Sequence, residues 1–188
     1  MAEIQRSSLM LLLIGLTERG DADGYVSGIT RLQKFLYLLQ EEAGIAPSKN
    51  GFEFEPYKAG PYSPRVYDDL ELLENLGFVE SMGTTESTET EAADLDKLVF
   101  DDLMEAGSKA ADAFEERRFT LTEKGQQKVR DMLDEGSIAP VADGIRKVKS
   151  KFSSLSLREL LRYVYEKHPE MTTESEIIDQ VLGRRSRR

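Results

Sequence analysis

Chemistry in a protein needs a nucleophile, a proton carrier, a set of metal ligands or a charged contact surface. This chain of 188 residues holds little of the first three. It has no cysteine, so disulfides, thiolate metal sites and cysteine nucleophiles are excluded. Its one histidine, His168, precedes Pro169, so a multi-histidine metal site is excluded too. A lone imidazole at a helix end reads as a cap or packing group beside the C-terminal dipole. Asp68-Asp69 and Asp101-Asp102 are adjacent carboxylates, and immediate neighbours on a helix do not face one point. The serines and Tyr165 stand without a recognisable general base. Neither phosphate-cradling pattern, G-x-x-x-x-G-K-S/T or G-x-G-x-x-G, occurs. The expectation is a non-enzyme with no catalytic residues, no metal and no cofactor.

Contact surfaces are better represented. Tyr57, Tyr62 and Tyr67 cluster around Gly60-Pro61 with Arg65 close by, and tyrosines with one dry and one wet end favour interfaces. These four are the candidate partner-binding residues, with simple packing of the turn as the competing reading. A second candidate set is basic: Arg146, Lys147, Lys149 and Lys151 lie off the apolar stripe of their helix, and Arg158 and Arg162 extend them. They would contact nucleic acid or an acidic partner, or form a solvated helix face. The total charge is −10, with a pI near 4.8. It is uneven: residues 1–136 carry 14 basic and 28 acidic side chains, whereas 137–188 carry 11 and 7. Nucleic-acid coating proteins are normally basic, so tight DNA binding is disfavoured.

The elements that position these residues follow from period and punctuation. The apolar run from Leu9 to Ile14 is far shorter than the ~20 residues of a membrane span and predicts a buried helix over 3–17. No leader pattern frames it, so the protein is expected in the cytoplasm, away from membranes. Ile29, Leu32, Leu36 and Leu39 predict a helix over 28–42, and Phe52 to Glu55 alternates like a strand. Ser63 and Pro64 open a third helix as N-cap and first residue. Val66, Leu70 and Leu73 form its inner stripe with Leu72 and Leu76 beside it, and Gly77 ends it. Its outer face would be Arg65, Asp68, Asp69, Glu71, Glu74 and Asn75. Strands over 78–80 and 118–121 flank an acidic insertion, 83–117, expected to be partly mobile. A helix follows over 123–133. Further on, Ile138, Val141, Ile145, Val148 and Phe152 form a stripe that must be covered by the main domain or by a second copy. Ser156-x-x-Glu159 and Thr173-x-x-Glu176 are capping boxes opening two more helices.

The order helix, helix, turn, helix, then two strands around a tip resembles a winged helix, a helix-turn-helix variant. The run from Leu70 to Glu80 is similar to its third helix entering the wing, and Phe119 to Gly125 to the step leaving it. More narrowly, Arg31-Leu32-Gln33-Lys34-Phe35-Leu36-Tyr37 followed by Gly60-Pro61-Tyr62-Ser63-Pro64-Arg65-Val66-Tyr67 resembles the Panacea domain of SocA-type antitoxins. It resembles YwgA-type proteins as closely, and in those the likeness extends to Leu160 through Glu170. The resemblance implies a mainly α fold with a small antiparallel β wing. It divides the chain into a winged-helix-like domain (1–136) and a C-terminal helical appendage with a basic tail (137–188). It further implies an antitoxin-like interaction or regulatory module whose partner is a protein, a toxin or a second copy in a homodimer. The alternative is a DNA-binding transcription regulator acting as a dimer.

Overall fold

Six consecutive apolar side chains, Leu9 to Ile14, are too many for one face of a surface helix, and the fold places them at its centre. The computed structural model describes residues 4–47, 51–83 and 117–183. Helix α1 (Arg6–Gly15) buries all six of those residues. After it come β1 (Tyr25–Ser27), α2 (Ile29–Glu41), a hairpin of β2 (Glu55–Tyr57) and β3 (Gly60–Tyr62), and α3 (Pro64–Asn75). Strands β4 (Val79–Gly83) and β5 (Arg117–Leu121) lead into α4 (Glu123–Asp134), α5 (Ala139–Phe152) and α6 (Leu157–Lys167). A 3₁₀ turn (Pro169–Thr172) and the short α7 (Ile178–Leu182) close the described chain. The molecule is mainly helical with a small antiparallel sheet of order β1-β5-β4 and the separate β2-β3 hairpin. Among the described residues, no helix is long and apolar enough to cross a membrane. The acidic insertion beyond Gly83 (84–116) and the basic tail (184–188) lie outside the described residues.

Strands β4 and β5 pair as their sequence suggests, with Val79 opposite Leu121 and Glu80 opposite Thr120. Three-residue β1 adds to the free edge of β5, Val26 opposite Phe119, which puts both side chains on the inner face. The alternation at Phe52–Glu55 does not make a strand. Glu53 takes a left-handed φ of 51°, which breaks the extended run, and pairing starts only at Glu55.

The C-terminal helices share one apolar core with the first half of the chain. Val141, Ile145, Val148 and Phe152 are buried, and Ile138 packs beside them. Helix α5 lies against α2 and α1, so close that a side-chain carbon on Gly144 would sit 2.0 Å from Ile45 Cδ1. The apolar stripe is therefore covered within one chain, which removes the reason to expect it at a dimer interface. The Ser156–Glu159 capping box forms in full. The Thr173–Glu176 box does not, because Glu176 is committed elsewhere: its N–H donates to the Lys58 carbonyl and its carboxylate pairs with the Lys58 ammonium. Helix α7 accordingly starts at Ile178.

Candidate functional site

The two sequence motifs 30 residues apart, Leu32-Gln33-Lys34 and Gly60-Pro61-Tyr62-Ser63, are bonded to each other. Gln33 and Lys34 are buried although polar. Gln33 Oε1 accepts from the Ser63 N–H at 2.8 Å and its Nε2 donates to the Ser63 carbonyl at 3.3 Å. Lys34 Nζ donates to the Pro61 carbonyl at 2.9 Å. One helical turn of α2 thus satisfies backbone groups that a tight hairpin would leave buried and unpaired. Ser63 does not cap α3 with its side chain: its hydroxyl donates to the Phe52 carbonyl instead. Gly60 is required twice, by its φ of +85° and by the Tyr165 ring, 2.8 Å from where a β-carbon would lie.

Around this junction Tyr57, Tyr62 and Tyr67 form a stack, with ring centroids 4.7 and 6.1 Å apart. They line a small pocket with Thr30, Gln33 and Lys34, with room for no more than about one water molecule. Burial raises the Tyr62 phenol above its ordinary range, helped by the charges of Glu55 and Asp68, so it stays protonated. Arg65 is turned away into the preceding loop, paired with Glu53 at 2.5 Å and donating to the Gly51 carbonyl at 2.6 Å. The three tyrosines therefore come together while Arg65 does not join them. Replacing Gln33 with Ala removes both bonds to Ser63 and leaves its buried N–H unpaired. This is expected to cost about 2 kcal/mol, read as a lower urea midpoint at unchanged slope. An unchanged midpoint would mean that other contacts hold the hairpin.

The six basic candidates do not form one surface. Lys149 is the clearest correction: it is 4 % exposed and donates to the Ile14 and Leu16 carbonyls at 3.1 and 2.5 Å. It lies one position beyond Val148, and its apolar stem follows the stripe inward to the carbonyl end of α1. Arg158 and Arg162 donate to the Gln180 and Val181 carbonyls at the end of α7. Lys151 holds Glu42 and the Tyr163 hydroxyl at 3.1 and 2.6 Å. Arg146 pairs with Asp143, and Lys147 is exposed. His168 ends α6 and packs edge-on against Tyr37, flanked by Glu42 and Glu170 at 3.8 and 3.5 Å. Among the described residues, no group of three or more such ligands is placed to hold a metal ion.

Helix α3 also differs from expectation. Asp69, placed on the outer face by its charge, is buried and held by Arg6 Nε and Nη2 at 2.8 and 3.2 Å. Leu72 and Leu76, placed beside the inner stripe, are each 47 % exposed. The spacing explains Asp69: Val66, Asp69, Leu70 and Leu73 follow the 3-1-3 rhythm of one narrow face, and positions 72 and 76 lie along its edge, between it and the exposed Asp68, Glu71 and Asn75. Charge misdirected the reading of Asp69, because its partner lies 63 residues earlier. Glu74 is half-buried and pairs with Arg117 at 2.8 Å, while Asp68, Glu71 and Asn75 are exposed. No protein-family model matches this chain, and a search of curated proteins finds no match to it.

Proposed function

We propose that this chain is a non-enzymatic protein-interaction or regulatory module on a winged-helix scaffold, antitoxin-like in kind, as its resemblance to Panacea and YwgA-type proteins implies. Support for the scaffold comes from the element order α1-β1-α2-α3-β4-β5 and the sheet order β1-β5-β4, with α3 in the position of a groove-reading helix. The β2-β3 hairpin is an addition between the second and third helices.

One observation carries the choice of protein over DNA as partner. The exposed side of α3 presents Asp68, Glu71, Leu72, Asn75 and Leu76. In a groove-reading helix those positions meet phosphates and base edges, where carboxylates would lose water and gain only repulsion. The basic side chains of the C-terminal helices, which would have to compensate, are largely committed to carbonyls and carboxylates of the same chain. Selection from a random duplex pool at physiological salt is expected to yield no defined site. Enrichment of one sequence bound at nanomolar protein would overturn the reading.

A further inference from the structure

We infer that the outer face of α3 is a docking surface for a helical protein segment carrying apolar side chains flanked by lysine and arginine. This deepens the protein-interaction reading and rests on it. Asp68, Glu71, Leu72, Asn75 and Leu76 fall at i, i+3, i+4, i+7 and i+8, which is a single face of a helix. Scattered exposed leucines are ordinary, but Leu72 and Leu76 lie one turn apart on the same side of the helix. They make a short apolar ridge on a helix whose other side is locked by Val66, Leu70, Leu73 and the Arg6–Asp69 pair. The helix that carries the ridge is thus preorganised, with little backbone order left to lose on binding. An amphipathic helix reads such a ridge with anchors spaced three and four residues apart.

Charge decides which kind of helix fits. Asp68 and Glu71 stand along the ridge, and exposed Glu80 follows on β4. Residues 1–136 hold twice as many acidic as basic side chains. A second copy placed face to face across a two-fold axis would bring those carboxylates together, which disfavours self-association here. The chain's own basic run, Arg184-Arg185-Ser186-Arg187-Arg188, supplies charge but no apolar side chain for the leucines. A separate basic amphipathic helix satisfies both features, with charge steering the encounter and leucine burial holding the contact.

The test uses the full chain and two labelled synthetic helices. One has leucines a turn apart between lysines and arginines, and the other has glutamates in place of the basic residues. Fluorescence anisotropy should show micromolar binding of the basic helix, weakening as salt rises, and none of the acidic one. Leu72→Asp combined with Leu76→Asp alters only exposed positions, so the thermal midpoint should hold while binding weakens at least tenfold, or about 1.4 kcal/mol. Asp68→Lys with Glu71→Lys should exchange the preference between the two helices. Equal binding by the leucine variant and the parent would overturn the inference. If amide shifts on adding the basic helix map to the Tyr57–Tyr62 hairpin instead of α3, this surface is wrong and the protein-interaction reading stands. If sedimentation shows a dimer that the leucine variant dissolves, the occupant is a second copy and the inference fails. A nanomolar DNA site on α3 would remove both readings.

Discussion

One methyl group added at Gly125 is expected to lower the thermal midpoint by roughly 6–12 °C, taking about 3 kcal/mol for the overpacking and 2–4 °C per kcal/mol for a chain of this size. Gly125 is the third residue of α4, in ordinary helical conformation, where helix propensity alone would have alanine stabilise by about 1 kcal/mol. Packing reverses the sign. A β-carbon there would lie 2.0 Å from the Phe78 carbonyl oxygen and 3.0 Å from its carbon, and neither is a side chain that can swing aside. The approach is this close because Thr122 ties three pieces together. Its hydroxyl accepts from the Gly125 N–H, donates to the Gly77 carbonyl at 2.6 Å, and its own N–H donates to the Phe78 carbonyl. Relief would require α4 to move away from β4, dragging buried Val129 and Met132 with it. Gly136→Ala is the control: its left-handed φ of +71° costs about 1 kcal/mol, but the space around it is open. Calorimetry that shows Gly125→Ala no less stable than the parent would mean that α4 is not held this way.

Raising the pH from about 8 to 10 is expected to stabilise the protein, against the usual direction for lysine. Burial pushes the Lys149 ammonium down to about 8, and the nearby Glu18 charge offsets only part of that. Above pH 8 the folded chain has released this proton while the unfolded chain keeps it until about 10.5. The unfolded state then binds more protons, and stability rises with pH by about 2 kcal/mol across the window. Above pH 10 three phenols act the other way. Burial raises Tyr62 above the ordinary range, Tyr37 well beyond it and Tyr165 to about 12, so the folded state keeps protons that the unfolded state loses. Stability should therefore climb and then decline. Lys149→Met has no ammonium to release and should show the decline without the climb. Urea midpoints measured from pH 7 to 10.5 separate the two, and parallel curves for the parent and Lys149→Met would disprove the assignment.

Local features of the chain were legible because they are short-range. Pro64 and Gly77 bracket α3, the Ser156–Glu159 box opens α6, and the α5 stripe names its buried face before any partner is known. The pairing of β4 with β5 was readable across the insertion, since each strand abuts a well-punctuated helix. What escaped depends on partners far along the chain. A three-residue strand, Tyr25–Ser27, has no period to detect and exists only because β5 offers an edge far along the chain, with Val26 opposite Phe119. Lys149 looked like a surface charge until the carbonyl end of α1 gave its ammonium two acceptors, and Asp69 looked solvated until Arg6 reached it. Gln33 and Lys34 were visible as a motif but not as the bonds that hold the hairpin. Charge in a sequence says that a group must be solvated or paired, and only the closed fold supplies the pair. The candidate surface on α3 was half legible for the same reason: its carboxylates follow from composition, whereas the exposure of its two leucines is decided by which elements the fold packs against the helix.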